Sequence, residues 1–129
     1  MDDTTPILFV EDETLIALPI LDALEEAGFT VEHVVDGEQA YTWLEGETPP
    51  TVLVTDIRLP GAIDGWAIAR RARELIPDIV VVYASGDSAA DWSAKGVPDS
   101  LMLQKPFAYA QLVTAVSTLL NQRRTSLGN

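Results

Sequence analysis

Four short apolar runs, rich in β-branched residues, recur along the chain: Ile7 to Val10, Val52 to Val54, Ile79 to Ala84 and Leu101 to Leu103. They are continuous rather than alternating, the pattern of strands buried on both faces, as in a parallel sheet covered by helices. Each run leads into a polar signature. Glu11-Asp12 follows the first, Thr55-Asp56 the second, Ser85-Gly86 the third and Gln104-Lys105-Pro106 the fourth. In an open α/β sheet, ligands sit beyond the carboxyl ends of such strands. Three carboxylates, one hydroxyl and one ammonium delivered to that edge suit a divalent cation and a phosphoryl group.

The segments between the runs read as helices. Thr14 to Gly28 carries Ile16, Ile20, Ala23, Leu24 and Ala27 at helical spacing, which predicts these as its sheet-facing stripe. Pro19 lies inside that helix, removes one backbone donor and predicts a kink, at a cost of roughly 3 kcal/mol if nothing compensates. A strand is predicted over Thr30 to Val34, a helix over Glu38 to Glu45 after the turn Asp36-Gly37, and a strand over Thr51 to Thr55. Then come a helix over Trp66 to Leu75, a strand over Ile79 to Ala84 and a short polar helix over Ala89 to Ala94. A strand over Leu101 to Gln104 and a helix over Tyr109 to Gln122 complete the series. Five strands alternating with five helices predict a doubly wound parallel α/β sheet. The whole chain, 1–129, reads as one domain with its core over about 6–122 and a frayed tail over 123–129.

Composition narrows the functions available. The net charge is −12, and residues 1–57 hold fourteen Asp or Glu with no Lys or Arg. A phosphate-tracking surface needs clustered basic side chains, so direct nucleic-acid binding is not expected. The chain lacks cysteine, which removes disulfides and thiolate metal sites. Neither a signal peptide nor a membrane-length apolar stretch is read, so a cytoplasmic protein without membrane insertion is expected.

Val10-Glu11-Asp12, Asp56 with Leu59-Pro60-Gly61 and Asp64-Gly65, Ala84-Ser85-Gly86 and Lys105-Pro106-Phe107, in this order, resemble the receiver domain of two-component response regulators. The resemblance runs from about Pro6 to Leu120 and implies a flavodoxin-like strand order 2-1-3-4-5. It implies a stand-alone phosphoacceptor that takes a phosphoryl group from a phosphohistidine onto Asp56. Mg²⁺ is implied as cofactor, held by Glu11, Asp12, Asp56 and the backbone carbonyl of Arg58. Crowded carboxylates repel one another, and a hard cation that keeps several waters resolves the conflict. Lys105 is expected to pair with Asp56 and then with the phosphate, across a cis Lys105-Pro106 bond. Ser85 is expected to donate its hydroxyl to a phosphate oxygen. Glu13 is expected to point outward.

Some positions depart from the family pattern. Met102 stands where an aromatic switch residue is common, which leaves Tyr83 and Phe107 as neighbouring apolar groups to take part. The stretch from Ser85 to Lys105 is short, so a brief fourth helix is expected, and one extra residue lies between Pro60 and Gly65. Arg58 and Asp87 occupy positions that tune phosphate lifetime in the family; opposite charges there predict a pair across the mouth of the site. The resemblance further implies docking to a histidine kinase or histidine phosphotransfer protein, with Leu15, Leu18, Pro106 and Phe107 at the contact. Trp92, Met102 and Tyr109 map to the output face toward an unidentified downstream protein, and a monomer or weak homodimer is expected. Trp43 and Trp66 read as packing residues of the second and third helices, and His33 as a solvated strand residue. Two other readings stand beside this one: an Asp-nucleophile phosphohydrolase, against which Asp56-Ile57-Arg58 lacks a second Asp, and an unphosphorylated adaptor with the same fold.

Overall fold

A computed structural model of the chain describes residues 5–127. Five strands, β1 (Thr5–Val10), β2 (Phe29–Val34), β3 (Val52–Asp56), β4 (Val80–Ser85) and β5 (Leu101–Gln104), form one parallel sheet in the order 2-1-3-4-5. Five helices connect and cover them: α1 (Thr14–Glu26), α2 (Gly37–Leu44), α3 (Gly65–Leu75), α4 (Trp92–Lys95) and α5 (Tyr109–Leu127), with a single 3₁₀ turn, Ala89–Asp91, leading into α4. Among the described residues, no helix is long and apolar enough to cross a membrane.

The sheet divides the core into two layers. Leu8, Val10, Leu53, Val81 and Tyr83 face α2 and α3 with Ile68, Ala69 and Ala72. Ile7, Phe9, Val52, Val54 and Val82 face α1 and α5 with Ile20, Leu24, Leu112 and Val116. Adjacent strand residues thus go to opposite layers, and both layers are apolar, which is why the central runs are continuous in sequence. The register pairs Val10 with Thr55, Asp56 with Ala84 and Ser85 with Gln104. The carboxyl ends of β1, β3, β4 and β5 therefore finish along one edge, where the chain direction of the connections switches between β1 and β3.

Local chemistry sets the helix entries. Asp36 caps α2 by accepting from the Gln39 amide at 2.9 Å, and Asp64 caps α3 by accepting from Ala67 at 2.9 Å. Gly65 follows because its Cα packs on the main chain of Asp56: a Cβ there would overlap the Asp56 carbonyl oxygen. Gly28, with φ +100°, turns the chain out of α1 into β2.

Three expectations are corrected. On α1 the buried residues are Ala17, Ile20 and Leu24, whereas Ile16 is 36% exposed and Ala27 is exposed beyond the helix end. The methyl of Ala17 fits where the helix lies against the sheet, and this rotates the larger Ile16 outward. Second, α5 continues through residues 123–127 instead of fraying after Gln122. Arg123 is tied to Asp78 by bonds of 2.9 and 3.2 Å, and no Gly or Pro interrupts the sequence before Gly128; residues 128–129 lie outside the described part. Third, His33 is half-buried and bonded, not solvated. Helix α1 runs unbroken through Pro19. The fourth helix is brief, as expected.

Candidate phosphoacceptor site

Glu11 and Asp12 leave β1 at the shared edge, Asp56 ends β3, Ser85 ends β4 and Lys105 follows β5. Carboxylate oxygens of Glu11, Asp12 and Asp56 lie within 4.8 Å of one another. The Lys105 ammonium sits between two of them, 2.9 Å from Glu11 Oε1 and 3.0 Å from Asp56 Oδ2. The pairing with Asp56 was expected, and the one with Glu11 was not. The Lys105-Pro106 bond is cis, and the Lys105 amide donates to the Ser85 carbonyl at 2.7 Å, which fastens the lysine to the end of β4.

The remaining polar atoms are held by short local bonds. Asp56 Oδ1 accepts from the Ile57 amide at 2.7 Å, and its carbonyl accepts from the Thr55 hydroxyl at 2.7 Å. Glu11 Oε2 accepts from the Glu13 amide at 3.1 Å, while the Glu13 side chain is exposed. Glu11 is only 2% exposed, and burial pushes its carboxyl above the ordinary value despite the opposing Lys105 charge and hydrogen bonds. Burial acts to lower Lys105, but its bonds to Glu11 and Asp56 outweigh that and leave its pKa raised. One ammonium thus faces three carboxylates, so the pocket carries an excess of negative charge. Each carboxylate oxygen has two lone pairs, and those already accepting an N–H keep one for a cation. Hard oxygen donors at this spacing fit a small divalent ion.

Ser85 is buried, and its Oγ accepts from the Ser88 amide at 2.8 Å and the Asp87 amide at 3.3 Å. Those bonds use its oxygen and leave its proton to donate. Arg58 Nε lies 2.8 Å from Asp87 Oδ2, so the predicted pair spans the β3–α3 and β4–α4 loops. Both side chains are more than half exposed. Asp87 is held below its ordinary pKa, first by Arg58 and then by the Ser88 hydroxyl.

Away from the pocket, Leu15 is 88% and Leu18 49% exposed on α1. Pro106 is exposed, whereas Phe107 packs half-buried against the α1–α5 layer. Of the three residues assigned to an output face, only Tyr109 is well exposed, at 45%. Trp92 and Met102 are half-buried against the α2–α3 layer, and Trp92 donates to the Ser100 hydroxyl at 2.9 Å. Met102 lies in register with Tyr83, a wholly buried residue whose ring packs 4.8 Å from that of Trp66. Trp66 is buried on α3, and Trp43 remains 37% exposed on α2. Sequence reasoning missed Ser88, Thr55, the Glu11–Lys105 pair and His33. The Ser85-x-x-Ser88 spacing was a local signal for the first; the last two depend on sheet register and have no local signal.

Comparison with known proteins agrees with this geometry. The family model of the response regulator receiver domain matches residues 7–117. The response regulator receiver protein CpdR of Brucella abortus is 35% identical over 116 residues, covering 88% of this chain and 95% of that protein. The sensor kinase CckA of the same organism is 31% identical over 129 residues, but the chain spans only 13% of its length. Among solved structures, a response regulator receiver protein from Sinorhizobium medicae superposes with a TM-score of 0.91 at 45% identity, covering 94% of this chain and 98% of that one. The chain belongs to the receiver domain family of response regulators, the phosphoacceptor signalling domains of two-component systems.

Proposed function

We propose that Asp56 is the phosphoacceptor and that a phosphohistidine on a partner protein is the donor. A carboxylate oxygen of Asp56 attacks phosphorus, the new O–P bond forms as the P–N bond to the donor imidazole breaks, and that nitrogen keeps the electron pair and takes up a proton. The observation that carries this reading is the ammonium of Lys105, 3.0 Å from Asp56 Oδ2 inside the cluster of three carboxylates. Such transfers gain little from covalent help and depend on position and charge. Bound Mg²⁺, held by Asp12, Asp56, Glu11 and the Arg58 carbonyl, would neutralise charge on the phosphoryl oxygens. Lys105 follows the charge from the carboxylate to the phosphate, and Ser85 supplies a hydroxyl proton to it. The Arg58–Asp87 pair screens the mouth and sets how fast water removes the phosphate.

Docking of a histidine kinase or phosphotransfer protein uses exposed Leu15 and Leu18 on α1, with Pro106 and the rim of Phe107. The protein works in the cytoplasm, as a monomer or weak homodimer, and turns over only its own phosphate. Its output is protein contact, through the region of Trp92, Met102 and Tyr109, or phosphate storage.

The test is incubation with acetyl phosphate, and with a phosphorylated histidine phosphotransfer protein, in the presence of Mg²⁺. Intact mass spectrometry should record one added phosphoryl group on the wild type and none on Asp56→Asn. Labelling of the Asp56→Asn variant to the wild-type extent, or no labelling of the wild type, rules the assignment out.

A further inference from the structure

The β1–β2 register sets His33 beside Phe9, one residue before the pair Val10 and Val34. In-register residues of a parallel pair share a face, and the two rings stack at 5.4 Å with a tilt of 32°. From there the imidazole reaches past the end of β1, and Nε2 lies 2.8 Å from the main-chain carbonyl oxygen of Glu11. A carbonyl cannot donate, so Nε2 carries the proton. The Glu11 amide in turn donates to the Val34 carbonyl at 3.1 Å. Strand β2 therefore grips both main-chain polar atoms of Glu11, one of them through a side chain.

The consequence falls on the next residue. The Glu11 carboxylate is held directly by Lys105 and the Glu13 amide. Among the described residues no hydrogen-bond donor reaches the exposed Asp12 carboxylate, although its oxygen belongs to the three-carboxylate cluster. The position of Asp12 is set by its main chain, and the Glu11 carbonyl shares a rigid peptide plane with the Asp12 nitrogen. Rotation of that plane swings the Asp12 Cα–Cβ bond.

We propose that His33 is a positioning residue for the acidic pocket: by holding the Glu11–Asp12 peptide plane, it sets where the Asp12 carboxylate meets a divalent cation. The proposal rests on the reading of this pocket as the Mg²⁺ site. His33→Phe keeps a ring against Phe9 and removes the donor, whereas His33→Gln restores an N–H at similar reach. Mg²⁺ alone is titrated into wild type and both variants by calorimetry, with the unfolding midpoint of each metal-free protein measured in parallel. His33→Phe should weaken Mg²⁺ binding on the order of tenfold, the low end of what loss of an outer-shell partner costs. His33→Gln should bind close to wild type, a rescue that a purely packing role would not produce. Should the Phe variant not fold, His33→Asn, whose shorter amide does not reach the carbonyl, takes its place. Unchanged Mg²⁺ affinity in the donor-less variant, or a Gln variant as weak as it, overturns the proposal. Phosphoryl uptake is read separately. A wild type that binds Mg²⁺ but takes up no phosphoryl group defeats the proposed function and leaves the His33 result standing; a wild type that binds no Mg²⁺ defeats both.

Discussion

The two edges of the sheet each hold a half-buried cation, and they treat it in opposite ways. At the carboxyl edge, Lys105 meets the carboxylates of Glu11 and Asp56, with Asp12 close by. At the amino edge, Arg73 of α3 donates to the main-chain carbonyls of Ile79, Pro98 and Asp99, stapling the starts of β4 and β5 to the helix. Burial pulls Arg73 below its ordinary pKa despite the nearby charge of Asp99, whereas Lys105 is raised by its partners. At the arginine, neutral main-chain dipoles take three of the guanidinium N–H groups and hold the side chain in place. The lysine site is open, because negative charge exceeds what one ammonium can balance. Buried charge left uncompensated is costly in a structure that serves stability alone. The cation and phosphoryl group proposed for this edge would relieve an excess of this kind.

The largest effects should separate these edges. Lys105→Met is expected to slow phosphoryl uptake on the order of a hundredfold or more, the scale for removing one preorganised electrostatic partner. Arg73→Met should leave uptake per folded molecule unchanged while lowering stability by about 2–3 kcal/mol, since charged hydrogen bonds are lost. Urea denaturation and acetyl phosphate kinetics on both variants decide it; equal kinetic losses would erase the contrast.

Between the edges lies Tyr83, whose hydroxyl accepts from the Val97 amide at 3.1 Å. Tyr83→Phe leaves that buried amide without its acceptor and should cost about 1–2 kcal/mol at neutral pH. Burial raises the Tyr83 hydroxyl above its ordinary pKa. The folded state then keeps its proton where the unfolded chain, titrating near pH ~10, has lost it. The stability from this group is full below that pH and is lost as pH rises toward the folded value. The wild type should therefore lose more stability than Tyr83→Phe between neutral and strongly alkaline pH. Taking the difference between the two cancels the lysines, and parallel curves would contradict the assignment.

The smallest effects concern two exposed ion pairs, one at each edge: Arg58–Asp87 at the mouth and Arg123–Asp78 at the far end. Exposed pairs contribute about 0–1 kcal/mol, so neither Arg58→Ala nor Arg123→Ala should change stability much. Only Arg58→Ala, and Asp87→Ala with it, should shorten the lifetime of the aspartyl phosphate several-fold. Identical decay in wild type, Arg58→Ala and Arg123→Ala would remove any role for the mouth pair beyond decoration of the surface.

Much of the fold was legible because buried parallel strands announce themselves by continuous apolar runs, and helix entries by turn residues such as Asp36-Gly37; that Asp36 and Asp64 cap their helices was shown only by the structure. Most strand boundaries shifted by one or two residues, as with β3, which runs to Asp56 itself. The sheet-facing stripe of α1 was misjudged, because hydrophobicity favours Ile16 over Ala17 while packing against the sheet favours the smaller group. The end of α5 was missed because Arg123 is secured by Asp78, 45 positions away in sequence.

The amino-acid sequence alone determined which chemical groups stand at the strand ends, since a run's length and the short polar signature that follows it are local properties. Asp56, Lys105, Ser85 and the Glu11-Asp12 pair could be named on that basis. Only the tertiary structure decided which of them touch. The Glu11–Lys105 pair joins residues 94 positions apart, and the His33 bond to Glu11 crosses from β2 to β1. Such contacts depend on register and on which strands lie side by side, and these follow from closing the whole core rather than from any one segment.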